Sequence, residues 1–229
     1  MRVLFWFPFL LFLLTGCMAY GPADNPVQRN FTWFSYVAAE DIRANCGPGA
    51  PERWRFVYNG IYGEQVRFYD ITLDPRAGGS AMMEARVKGR GDLLELDLFD
   101  PLRPWSGPFA RRFLAEAQWL DLDRALGPDG IGSRTRPGTR LRSDNFYWVA
   151  AACRAGQFYH RAWQQPEDDL NRLRFVPILL AYDPTGVPFN APRRLYLGPF
   201  SHDGGLEGGP HDEFQLTVGA DGLIAVRGF

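Results

Sequence analysis

The sequence predicts a β-rich α+β fold: an antiparallel sandwich, strongly curved sheet or barrel with two helices packed on it. Three observations carry that expectation. Apolar and polar residues alternate along many short runs, Gly, Pro, Asn and Asp fall mainly between those runs, and only two stretches repeat at helical spacing. About nine or ten strands at this spacing fill the chain beyond residue 30. No repeat and no change of composition divides them, so 31–229 reads as a single globular domain.

The first helix is expected in "SYVAAEDIRANCGPG", with Ser35 as cap, Glu40 and Asp41 in its first turns, and Gly47-Pro48 as its stop. Ala38, Ile42 and Cys46 share one face by the i, i+4 rule, which turns Cys46 inward. "RWRFVYNG" then puts Trp54, Phe56 and Tyr58 on one side of a strand, Asn59-Gly60 signals a turn, and "VRFYDITL" returns. A hairpin is expected where Met83, Ala85 and Val87 alternate with charged residues, and Leu94, Leu96 and Leu98 do the same after the turn. The second helix is expected over "GPFARRFLAEAQWLDLDRALG", with Phe109, Phe113, Ala117 and Leu120 as its apolar stripe and Gly127-Pro128 as its end. "NFYWVAAACRAGQFYHRAW" reads as a hairpin turning at Arg154-Ala155-Gly156. "RFVPILLAY" reads as a strand apolar on both faces that Pro177 assigns to an edge or a bulge, and "EFQLTVGADGLIAVRGF" closes the chain as a hairpin.

Ahead of these elements lies a different kind of sequence. Met1-Arg2 precedes the apolar run Val3 to Leu14, which is short for a transmembrane helix of about 20 residues and is interrupted by Pro8. The run ends in Leu14-Thr15-Gly16-Cys17, which resembles the lipobox of bacterial lipoproteins. That resemblance implies that 1–16 is a signal peptide, that cleavage precedes Cys17, and that the thiol of Cys17 carries a thioether-linked diacylglycerol. Two or three acyl chains at about 0.8 kcal/mol per buried CH₂ make a stable anchor. Met rather than Asp at position 18 implies sorting to the outer membrane, with the domain facing the periplasm of the cell envelope. Residues 17–30 then form a lipidated cysteine and flexible tether. The body of the chain has the general character of envelope lipoproteins, a likeness that implies no activity.

Composition narrows the function classes. Removing 1–16 leaves 229 − 16 = 213 residues with a charge of 24 − 26 = −2, which argues against a nucleic-acid binder. Lys88 is the single lysine among the basic residues, and arginines spread along the whole chain read as a coding bias rather than as a recognition patch. Cys46 and Cys153 are the thiols that remain after Cys17. In an exported chain they read either as a disulfide, the favoured reading, or as two separate buried residues.

The densest polar cluster is "FSHDGGLEGGPHDEF", where His202, Asp203, His211 and Asp212, with Glu207 or Glu213, offer donors for a divalent cation such as zinc. A metal held there would activate water. The two histidines lie nine positions apart and match no zinc-hydrolase spacing, so a solvated connection between strands is the plainer reading. His160, in phase with Phe158 and Ala162, reads as a satisfied, half-buried side chain. Ser80 and Ser133 sit in glycine-containing loops without an elbow motif, and Arg90-Gly91-Asp92 reads as a turn. Trp105, Trp119, Trp148 and Trp163 read as core or as a pocket lining, with Trp54 and Trp148 on the core side. No catalytic constellation emerges. The expected function is therefore that of a membrane-anchored envelope lipoprotein with a non-enzymatic binding or structural role, whose partner is an envelope protein or a lipid. The alternative is a metal-dependent hydrolase acting on an envelope polymer through the His202–Glu213 loop.

Overall fold

The computed structural model describes residues 34–74, 78–89, 108–195 and 214–228. Cys17 and the tether, Arg90-Gly91-Asp92, Trp105 and the His202–Glu213 loop lie outside the described residues. The expected β-rich α+β architecture is present. β1 (Arg53–Gly60), β2 (Gln65–Leu73), β3 (Ala81–Gly89) and β4 (Phe109–Leu114) form an antiparallel meander. β6 (Phe146–Arg154) and β7 (Gln157–Gln164) continue the sheet on the far side of β1, giving the order β4-β3-β2-β1-β6-β7. β4 and β7 stand at opposite ends, so the sheet is open and does not close into a barrel. A second, three-stranded sheet runs β5 (Arg140–Arg142), β8 (Phe214–Val218), β9 (Leu223–Gly228), in that order.

Alternation along the strands decides what covers each face. Trp54, Phe56 and Tyr58 of β1 join Tyr69, Ile71, Met83 and Trp148 on an inner face. There they pack against α3 (Glu116–Leu126) and α4 (Phe175–Tyr182) through Trp119, Leu122, Phe175 and Leu179. The intervening residues of the same strands form the outer face. The small sheet covers part of it with Leu141, Phe214 and Leu216, and α1 (Phe34–Val37) adds Tyr36 and Val37. α2 (Glu40–Ala44) follows, and its Ile42 packs beside Ala151 and Cys153. The Cys46–Cys153 disulfide ties the chain just past α2 to the end of β6, with its Cα atoms 5.5 Å apart.

Hairpin β6–β7 turns where expected. Ala155 and Gly156 have φ values of 47° and 75°, the left-handed pair that a two-residue turn requires. A Cβ on Gly156 would lie 2.7 Å from the Gly47 carbonyl oxygen, so only glycine fits beside the segment that Cys46 anchors.

Several expectations are corrected. The first helix is two short ones, because Ala39 takes a left-handed φ of 52° between them, and Ser35 lies within α1 rather than capping it. The expected helix over 107–127 is a strand followed by a helix. Phe109 to Leu114 alternates at period two and hydrogen-bonds to β3, while α3 begins at Glu116. Its proposed stripe is thereby split: Phe109 and Phe113 stand exposed on β4, and α3 buries Trp119, Leu122 and Leu126 instead. The expected strand "RFVPILLAY" is helix α4. Pro177 is its third residue, where the missing N–H would have had no intrahelical acceptor. The Phe175 N–H at its start donates to the carboxylate of Asp129 (2.9 Å). β3 pairs with β2 on one side and with β4 on the other, whereas its expected partner, 94–98, lies outside the described residues. Four helices are described where two were expected.

Candidate functional site

The small sheet leaves the β1–β4 half of the outer face as a groove of 470 Å³. β1 contributes Arg53 and Arg55 to it, β2 Phe68 and Asp70, β3 Glu84 and Arg86, β4 Phe109 and Arg111, and α1 supplies Tyr36 as one wall. Strand periodicity explains the set. Phe109 and Arg111 are two apart on β4, and they face Arg86 and Glu84 respectively across the ladder.

The floor is a fixed charge cluster. Arg55 is 2% exposed, and its guanidinium grips both carboxylate oxygens of Asp41, at 2.7 and 3.2 Å. Its Nε donates to Asp70 (2.8 Å) and its Nη1 to the Tyr36 carbonyl (3.0 Å), while the Tyr36 ring stacks under it at 3.8 Å. The Tyr36 hydroxyl donates to the second oxygen of Asp70 (2.6 Å). Burial pushes the Asp41 carboxyl up, but the hydrogen bond and charge of Arg55, with Arg53 behind it, outweigh burial and hold it below the ordinary carboxylate range. Burial and the neighbouring Asp70 carboxylate push the Tyr36 hydroxyl well above its usual value, so it remains a donor. Arg55 is thus spent on structure.

The rim is different. Arg111 is 61% exposed and bonds Glu84 (2.8 Å). The guanidinium carbons of Arg86 and Arg111 lie 5.3 and 5.2 Å from the Phe109 ring centroid. Four arginines line the groove against Asp70 and Glu84, and Asp41 beneath them pairs with Arg53 and Arg55, which leaves a net charge of 4 − 3 = +1. Guanidinium forks suit carboxylate or phosphate oxygens, and the aromatic faces suit an apolar or flat group beside them.

Other expected site residues fall elsewhere. His202, Asp203, His211 and Asp212 lie outside the described residues, as does Cys17. Among the described residues no three His, Cys, Asp or Glu side chains converge as metal ligands. No described helix is long and apolar enough to cross a membrane. Trp54, Trp119, Trp148 and Trp163 are buried in the inner core. His160 is buried rather than half-buried, and neither ring nitrogen has a hydrogen-bond partner among the described residues, contrary to the satisfied histidine expected. Burial and the nearby Arg43 lower its pKa to about 4.

Sequence reasoning missed the groove because it set the arginines aside as composition. A signal was present: in "FARRF" strand period puts Phe109, Arg111 and Phe113 on one sheet face, and in "RWRF" it puts Arg53 and Arg55 together on the face opposite the core-facing Trp54 and Phe56. No family model, curated protein or solved structure matches the chain.

Proposed function

We propose that this chain is a lipid-anchored envelope protein whose β-rich domain binds an anionic component of the envelope, without catalysing a reaction. The observation that carries the reading is the arginine-rimmed, aromatic-walled groove, joined in one chain to a lipobox-like leader ending at Cys17. The Cys46–Cys153 bridge supports export, since disulfides persist in oxidising compartments. The exposed Arg111 guanidinium at the rim, over a rigid charge cluster, suits reversible recognition of phosphate or carboxylate groups. Residues from four strands and a helix hold that rim at fixed spacing.

Expression in a Gram-negative host with labelled palmitate tests the anchor. Label should enter the chain, the protein should fractionate with membranes, and Cys17→Ala should abolish both. An unlabelled, soluble wild-type chain would overturn the anchor.

A further inference from the structure

We propose that the Phe109–Arg111–Phe113 row of β4 lies against the anionic phospholipid headgroups of the leaflet that carries the anchor. The inference rests on the lipoprotein reading and names the anionic component for its groove. The row is unusual for a water-facing strand. Among the described residues three large apolar side chains are exposed, and two of them, Phe109 at 46% and Phe113 at 72%, stand on this one strand face with Arg111 between them. Aromatic rings flanking a guanidinium match a bilayer interface, where rings enter the headgroup layer and the cation meets phosphate.

The chain's own geometry favours a lipid surface as the occupant. The described chain begins at Phe34 on α1, and Tyr36 of that helix lines the same groove as Phe109 and Arg111. The segment leading back to Cys17 therefore joins the domain on this face of the sheet. Seventeen positions separate Cys17 from Phe34 (34 − 17). Treated as a random coil, a segment of that length has a root-mean-square span of about 21–25 Å at 5–6 Å × √n, which keeps the domain near its leaflet on average. Once tethered, the face meets headgroups at high effective concentration, so a modest patch suffices. Arg111, 61% exposed at the groove's rim, offers a guanidinium to the phosphate of phosphatidylglycerol, and α3 and α4 on the opposite face keep the inner core away from lipid.

The test uses the processed protein purified from membranes and reconstituted into vesicles of phosphatidylethanolamine and phosphatidylglycerol with brominated acyl chains. Phe113→Trp places an indole in the row, and Arg124→Trp places one on exposed α3 across the sheet. The mass of the Cys17 peptide reports acylation separately. With Cys17 acylated, the emission added by Phe113→Trp should be quenched and blue-shifted, that of Arg124→Trp should not, and Arg111→Glu in the first background should restore the signal. Equal quenching at the two positions, or none at position 113, with an acylated Cys17 overturns the docking and leaves the anchor standing. Phe109→Trp repeats the measurement should Phe113→Trp lose its fold. An unacylated Cys17 overturns the anchor reading and takes the docking with it.

Discussion

Arg55 and Arg67 stand on neighbouring strands of one sheet, 2% and 1% exposed, and face opposite ways. On the inner face Arg67 is sealed. Its Nη1 pairs with Asp183 (2.5 Å), its Nη2 donates to the carbonyls of Val187 and Pro188 (2.6 and 2.7 Å), and its Nε donates to Gln65 (2.8 Å). The Tyr69 hydroxyl completes the node by donating to Asp183 (2.6 Å). On the outer face Arg55 holds Asp41 and Asp70, both of which retain some contact with water. The inner pair fastens the segment after α4 over the core. The outer cluster is the rigid floor beneath an exposed rim. The same residue type thus closes one face and furnishes the other.

The contrast breaks most visibly at Arg67. Arg67→Ala leaves the nearly buried Asp183 carboxylate without its countercharge and removes a donor from the Val187 and Pro188 carbonyls, which should cost roughly 3–5 kcal/mol, read as a lowered urea midpoint. Exchanging both partners, Arg67→Met with Asp183→Leu, should recover most of that loss, because a buried ion pair contributes little beyond a well-packed apolar pair. If the double variant is no better than the single one, the node is more than a satisfied pair.

A second measurement compares the paired arginines with a titratable group buried without a hydrogen-bond partner among the described residues. His160 lies on the outer face opposite Ala151. The charged groups near it are Arg43 of α2 and Asp221 of the β8–β9 turn; Arg43 donates to the Asp221 carbonyl, and the Asp221 carboxylate pairs with Arg134 at 3.2 Å. Its folded pKa of about 4 lies below the ordinary 6.5, so the unfolded chain takes up the proton first. The associated stability is fully present above pH 6.5 and is lost as the pH falls towards 4, about 3 kcal/mol in all. His160→Leu should flatten the denaturation midpoint across that window. Asp41 and Asp183 are both held below their ordinary value, and their contributions fall away only as the pH drops further. Burial raises the Asp129 carboxyl, whose contribution runs the opposite way and is the same in the His160→Leu chain, so the difference between the two chains isolates His160.

The same distinction explains what was legible in the sequence. Elements built from local pattern were read correctly: the alternation of Trp54, Phe56 and Tyr58, the β6–β7 turn at Ala155-Gly156, and the closing hairpin. α4 was misread because its apolar run lacks a polar face, and what tells a buried helix from a buried strand is the packing of Phe175 and Leu179 against Trp148 and Phe56. β4 was misread because Phe109 and Phe113 fit both periods, and pairing with β3 decided for the strand. The arginine sites were invisible for another reason. A strand arginine reads as solvent-facing until its acceptor is known, and Asp183 lies 116 residues from Arg67.

The smallest effect is expected at Arg55, and it bears on the groove. Arg55→Ala removes a donor from Asp41 and Asp70, but Arg53 still reaches Asp41 at 3.2 Å, Tyr36 still donates to Asp70, and water reaches both carboxylates. The stability loss should therefore be about 2 kcal/mol, below that at Arg67. The larger consequence should be geometric, because Tyr36 loses the cation stacked on its ring and α1 loses the bond to its carbonyl. Amide exchange should quicken in α1 and stay unchanged in α4, on the far side of the sheet. A loss as large as that at Arg67, with α4 exchanging faster as well, would mean that the floor of the groove is part of the global core rather than a local support for its rim.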